Sequence, residues 1–215
     1  MMTNAAFLGR IGAAVACCAT LAVASAALAQ AAPERGVFVT QIGDAPRTTI
    51  TQRNADSLAR VVQDGTNNQT DLVQEGTAPH RAQIAQDGDD NTVNVTQDGD
   101  GSTDLTLVQE GNANSALVLQ REVSVAEQST ASILQRGNGN TIILAQNGSD
   151  NDASLEQLGD GNTMTASQLD NGNRLQWSQN GDGLADLQIV QTGGGSLQVT
   201  QSNIGGAQFA PPPGG

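Results

Sequence analysis

From residue 37 onward the chain alternates apolar and polar positions in short stretches, and the stretches recur with a fixed spacing. Glutamine marks the period, at Gln41, Gln52, Gln63, Gln74, Gln86, Gln97, Gln109, Gln120, Gln135, Gln146, Gln157, Gln168, Gln179, Gln191 and Gln201. Of the fourteen gaps between these markers, all but the one from Gln120 to Gln135 lie within a residue of eleven. Two residues before each marker stands an apolar residue, running from Val39 and Ile50 to Ile189 and Val199, with Ala166 the one small member. Four residues before, most positions are again apolar, as at Val93, Leu105, Ile142 and Leu175. Period-two spacing places these residues on one face of a strand. A helix would need three-four spacing and would not tolerate a turn residue every eleven positions.

After each marker the chain is built to turn. Glycine follows at plus two in eleven of fifteen cases, at Gly43, Gly65, Gly76, Gly88, Gly99, Gly111, Gly137, Gly148, Gly159, Gly181 and Gly193. The exceptions are Asn54, Glu122, Asp170 and Asn203, and asparagine is the next-best residue for positive φ. Asparagine recurs six residues before the next marker, at Asn68, Asn91, Asn114, Asn140, Asn151, Asn162 and Asn173. The pattern predicts strands of about five residues and turns of about six, an all-β array with no long helix after the N-terminal segment.

A single such strand cannot bury its apolar face, so the units must stack into a β-solenoid. Two half-repeats per rung make a rung of about 22 residues, and fifteen strands make between seven and eight rungs, roughly 35 Å tall at ~4.8 Å per rung. The Gln and Asn markers share the parity of the apolar positions and are expected to point inward. A buried amide without a partner costs ~1–3 kcal/mol. In a stack each amide donates to its counterpart one rung up and accepts from the one below, an expected structural ladder of the amyloid type.

The N-terminus departs from this pattern. Arg10 precedes an Ala-rich apolar run from Ile11 to Leu28, and Ala27-Leu28-Ala29 fits a signal-peptidase site. This predicts a cleaved secretory signal peptide over residues 1–29. A retained membrane anchor is the competing reading, since the run is long enough to span a bilayer; a lipoprotein at Cys17 would have too short an apolar segment before it. With the leader go Cys17 and Cys18, leaving no thiol for a disulfide or a metal site. A short linker follows over 30–36, then repeats over 37–204 with a register break near 121–130, where Arg121 to Thr130 is expected to bulge as a loop. A Gly/Pro-rich tail occupies 205–215. Neither the opening Val37-Phe38-Val39-Thr40-Gln41 nor the region beyond Gln201 resembles a capping helix, and open ends predict that one chain stacks on the next.

Charge narrows the function. All nine basic residues are Arg; without Arg10, eight remain against 22 Asp and Glu, a net of −14. That balance argues against nucleic acid and against anionic membranes. After the markers acids recur at Asp64, Glu75, Asp87, Asp98 and Glu110. Two strands per rung would stack Asp64, Asp87 and Glu110 in one column and Glu75 and Asp98 in the other. Such like charges repel and would delay assembly. The sole histidine, His80 beside Pro79, reads as a surface turn residue, and no convergent catalytic groups stand out, so no enzyme and no cofactor are expected. Asp87-Gly88-Asp89-Asp90-Asn91 and Asp98-Gly99-Asp100-Gly101 look superficially like calcium loops but lack the sixth-position glycine and the nonapeptide period, so no metal site is assigned. A monomeric solenoid binding ice or carbohydrate would need a regular outward Thr array, whereas the outward positions mix Thr92, Val108, Leu117, Leu119 and Ser178.

The unit Gln-x-Gly-x-x-Asn-x-(apolar)-x-x-x-Gln resembles the curlin repeat of curli fibre subunits. Its clearest instances are Gln135-Gly137-Asn140-Ile142-Gln146, Gln146-Gly148-Asn151-Ala153-Gln157 and Gln157-Gly159-Asn162-Met164-Gln168. The resemblance implies export through outer-membrane machinery, extracellular nucleated self-assembly, and a role in biofilm matrix and adhesion. It departs from the family in having more units, and Thr, Ala or Leu where the family's opening Ser is usual. Nucleator subunits of the family carry a basic last repeat; residues 177–215 here contain no Arg, which favours a major subunit over a minor, nucleating one.

Overall fold

The structure, a computed structural model, describes residues 35–203. The expected signal peptide, most of the linker and the Gly/Pro-rich tail lie outside the described residues. Within them the chain forms fifteen strands and no helix: β1 (Gly36–Ile42), β2 (Arg47–Gln52), β3 (Leu58–Asp64), β4 (Gln69–Gln74), β5 (His80–Asp87), β6 (Thr92–Gly99), β7 (Ser102–Glu110), β8 (Ser115–Glu122), β9 (Gln128–Arg136), β10 (Thr141–Gly148), β11 (Asp152–Leu158), β12 (Thr163–Leu169), β13 (Arg174–Asn180), β14 (Leu187–Thr192) and β15 (Ser196–Ser202).

The odd-numbered strands make one eight-stranded sheet in the order β1-β3-β5-β7-β9-β11-β13-β15, and the even-numbered strands a seven-stranded sheet from β2 to β14. All pairings are parallel, and in each the glutamines align: Gln63 with Gln86, Gln109 with Gln135, Gln146 with Gln168. The chain thus alternates between two sheets that face each other, a β-solenoid with two half-repeats per turn. Parallel neighbours need a crossover connection; here the opposite strand and its two corners supply it.

Strict alternation along β5 and β9 shows why the pattern forms strands, with inward residues buried and their neighbours exposed or half-buried. The core takes two columns from each sheet, at two and four residues before the markers. Val61, Ile84, Leu107, Ile133, Leu155 and Trp177 come from the eight-stranded sheet, facing Leu72, Val95, Val118, Leu144 and Ala166 from the other. Fully burying such a Val, Leu or Ile contributes ~1.5–3 kcal/mol each. The chain's only Trp, Trp177, is wholly buried on the half-repeat after the one carrying Ala166, so the largest inward residue succeeds the smallest member of its position. Their volumes offset each other within one close-packed core.

The register break is narrower than the sequence suggests. Arg121 and Glu122 still belong to β8, and Gln128 to Thr130 already belong to β9, which leaves a loop of residues 123–127. The extra residues sit wholly in that corner, because pairing of β7 with β9 keeps Gln109 opposite Gln135. Glu122 anchors the corner. Its buried carboxylate accepts from the Ser124 backbone N–H at 2.9 Å, the Ser129 hydroxyl at 2.8 Å and the Asp150 backbone N–H at 3.0 Å.

Candidate assembly interface

The feature that runs nearly the full length of the solenoid is its glutamine columns. In the eight-stranded sheet Nε2 of Gln41 donates to Oε1 of Gln63, and the chain of donation continues through Gln86, Gln109, Gln135, Gln157 and Gln179 to Gln201, with distances of 2.7–3.0 Å. In the seven-stranded sheet it runs from Gln74 through Gln97, Gln120, Gln146 and Gln168 to Gln191, at 2.8–3.1 Å. From Gln63 to Gln179 these side chains are essentially excluded from solvent. Gln41, Gln52 and Gln201 occupy the end rungs and are more open. One link is missing: Gln52 Nε2 and Gln74 Oε1 are buried atoms with no partner.

Each inner glutamine also spends its second amide hydrogen across the core. Gln157 Nε2 donates to the Thr141 carbonyl at 3.1 Å, Gln146 to the Thr130 carbonyl at 2.9 Å and Gln74 to the Leu58 carbonyl at 3.0 Å. Every acceptor lies at the start of the preceding strand, in the opposite sheet. One amide therefore ties a rung to the next and closes its own rung, which accounts for glutamine rather than a simple apolar residue at the marker position.

The asparagines behave differently from the expected amide-to-amide ladder. Oδ1 of Asn68, Asn91, Asn114 and Asn140 accepts the backbone N–H of the asparagine one rung on, at 3.0–3.1 Å. Nδ2 of Asn91 donates to the Gly111 carbonyl and that of Asn140 to the Gly159 carbonyl, both at 2.7 Å. Asn162 does the same with Gly181, and Asn151 with Asp170. Only Asn173, donating to Asn151 Oδ1 at 3.0 Å, makes an amide-to-amide contact. Asparagine is one methylene shorter and sits at the corner, so its amide reaches turn backbone groups that would otherwise be buried unpaired.

The plus-two glycines line those corners. Gly65, Gly76, Gly88, Gly99, Gly111, Gly137, Gly148, Gly159 and Gly181 all have positive φ. At Gly88, with φ +115, a Cβ would stand 2.2 Å from the Gly111 carbonyl oxygen, so stacked corners admit no side chain there. Among the four exceptions, Asp170 adopts positive φ at 67, whereas the two asparagines, Asn54 and Asn203, do not. A second left-handed site lies two residues further on, at Ala45, Asn67, Asp90, Ala113, Gly139, Asp150, Gly161, Gly172 and Gly183. The predominance of Gly, Asn and Asp at plus four was its visible signal.

A third side-chain ladder stands at plus three. Asp89 Oδ1 accepts the Thr66 backbone N–H at 2.7 Å, Asn112 that of Asp89, Asn138 that of Asn112, Asp160 that of Asn138 and Asp182 that of Asp160. Asp89, part of the calcium-like run, is thus a turn acceptor.

His80 is not a surface residue. It is fully buried at the corner position that asparagine fills elsewhere, with Nε2 donating to the Glu75 carbonyl at 2.7 Å and Nδ1 accepting from the Thr103 hydroxyl at 3.1 Å. Burial pushes its pKa below the usual imidazole range, and the Glu75 carbonyl and the Asp98 charge offset part of that shift. The register was the available signal: His80 is six residues before Gln86, as Asn91 is before Gln97.

Outside, Asp64 pairs with Asp87 and Asp87 with Glu110. Glu75 and Asp98 follow the paired Gln74 and Gln97. Arginines end both columns: Arg136 binds Glu110, Arg121 stands 3.8 Å from Asp98, and Arg53 stands 2.8 Å from Glu75. The Arg136 hydrogen bond holds the Glu110 carboxyl below the usual range. Asp64 and Asp87 are left as the neighbouring like charges without an arginine ion pair.

The columns stop at two open edges. Among the described residues, β1 and β2 at one end, and β14 and β15 at the other, each have a strand neighbour on one side only. Inward residues are uncovered there: Val39 is 44% exposed, Leu187 40% and Leu197 38%. Each edge offers unpaired backbone, apolar surface and the free end of a glutamine column, the groups that another strand of the same pattern would satisfy.

A family model described as the curlin associated repeat matches residues 55–99, 127–159 and 137–169, the last two overlapping. No curated protein and no solved structure matches the chain.

Proposed function

We propose that this chain, a curlin-repeat protein, is a secreted structural subunit that self-assembles into curli-type extracellular fibres of a biofilm matrix and in adhesion. The observation that carries the reading is the pair of unpaired solenoid edges, both presenting the same apolar-x-Gln pattern. An interior in which all rungs but one satisfy their neighbours through the glutamine columns has no internal reason to stop, so the two edges favour addition of another copy. The partner is the chain itself, with a nucleating subunit and outer-membrane export machinery as further partners. The absence of arginine over residues 177–215 favours the major-subunit role.

The test is assembly of the chain from Gln30 onward, followed by thioflavin fluorescence with and without sonicated seeds. A lag that seeds abolish supports the proposal. A chain that stays folded and monomeric at high concentration overturns it in favour of a solenoid that binds a ligand through its outer faces.

A further inference from the structure

Building on that assembly role, we propose that successive molecules join head to tail with a half-turn about the solenoid axis. The eight-stranded sheet of one copy then continues the seven-stranded sheet of the copy before it.

The argument starts from an odd number. Eight described strands lie in one sheet and seven in the other. Because the chain alternates sheets, β15 stands half a rung beyond β14. Among the described residues the next vacant strand position is therefore above β14, in the seven-stranded sheet. The strand that an incoming copy offers first is its β1, which belongs to its own eight-stranded sheet. Turning the incoming copy by half a revolution seats β1 on β14 and then β2 on β15, and both sheets continue at the ~4.8 Å strand spacing. Without the turn, β1 sits on β15, and β14 faces β2 across two strand spacings, ~9.6 Å, with both backbone edges unpaired. Such unpaired groups carry the penalty that a parallel stack otherwise removes.

The side chains fit the turned arrangement. Seating β1 on β14 in the register of the internal pairings sets Val39 against Ile189 and Gln41 against Gln191. Seating β2 on β15 sets Ile50 against Val199 and Gln52 against Gln201. Direction follows from the ladders. Every Gln-to-Gln bond runs from Nε2 toward the C-terminal end, so that end finishes in the donor Gln201 and in Gln191, whose second hydrogen meets only the Gly195 carbonyl at 3.4 Å, and the opposite end in the acceptors Gln41 Oε1 and Gln52 Oε1. Two identical ends brought together would set donor against donor or acceptor against acceptor. The one column link without a hydrogen bond, Gln52 Nε2 to Gln74 Oε1, lies at this acceptor end, where the single chain leaves Gln52 without a neighbouring rung.

Cysteine pairs distinguish the arrangements. In the full chain carrying Cys17→Ser and Cys18→Ser, one variant adds Thr40→Cys and Val190→Cys, and another adds Thr40→Cys and Thr200→Cys. All three positions are exposed. Residues aligned on neighbouring strands lie at a Cα separation that a disulfide spans. Fibres are formed first, checked by electron microscopy, then oxidised and run on non-reducing gels. The proposal expects intermolecular disulfides from the 40/190 pair, at least tenfold above the 40/200 pair, and none from Thr40→Cys alone. Cross-linking mainly through 40/200, equally through both pairs, or through neither overturns the half-turn. Cross-linking through Thr40→Cys alone overturns head-to-tail order. Failure to form fibres at all is a separate outcome, and it refutes the assembly role on which the half-turn rests.

Discussion

Replacing Gln109 by leucine removes one rung of a ladder while keeping nearly the same volume in the core. Gln109 accepts from Gln86 Nε2 at 2.9 Å and donates to Gln135 Oε1 at 2.8 Å and to the Thr92 carbonyl at 3.3 Å. The leucine leaves one Gln86 hydrogen and Gln135 Oε1 without partners, and both residues are at most 1% exposed. At ~1–3 kcal/mol for each orphaned buried group, the two together cost about 4 kcal/mol. For a urea slope of about 2 kcal/mol/M, that moves the unfolding midpoint down by about 2 M. The control is Gln83→Leu, the same exchange at an exposed position on β5, where a change within ~0.5 kcal/mol is expected. Urea titrations of the unassembled chain, followed by circular dichroism, compare the two. Equal midpoints for the two variants would refute the view that the glutamines are retained for their hydrogen bonds rather than their bulk.

Three further outcomes follow from the same geometry. Gly88→Ala, whose Cβ would meet the Gly111 carbonyl oxygen, should lower the urea midpoint well beyond Gly139→Ala, which has positive φ but nothing within 4 Å; equal losses would show that stacked corners have room. His80 has a depressed folded-state pKa, so the stability it contributes is complete above the unfolded value near 6.5 and is lost as pH falls through the folded value. The native chain should therefore lose more stability than His80→Asn between pH 7 and pH 5, and parallel pH profiles would contradict this. Salt at neutral pH, or Asp87→Asn, should shorten the assembly lag by screening or removing the Asp64–Asp87 repulsion, and an unaltered lag would sink that role for the acids.

The solenoid was legible because its period is carried by residues that must repeat for stacking to work. Gln at the marker, an apolar residue two before it and Gly two after it gave strand, face and corner directly. What escaped was whatever depends on the closed rung. The second hydrogen of Gln157 reaches Thr141 only once the two sheets face each other, and nothing in a linear pattern reports that crossing. Asn140 was read as a ladder residue like Gln146, yet its shorter side chain stops at the corner and serves the Gly159 carbonyl. His80 was misjudged for another reason: a lone histidine beside Pro79 suggested a surface turn, while its position in the register put it inside. The arginines that end the acidic columns were visible in the same register, since Arg136 follows Gln135 as Glu110 follows Gln109.

X-ray diffraction from aligned assemblies of the chain tests the central claim most directly. Stacking through the open edges predicts a sharp reflection near 4.8 Å along the fibre axis and a broader one near 10 Å across it, from strand spacing and sheet separation. Assemblies without an axial 4.8 Å reflection would contradict growth by strand addition at the solenoid ends.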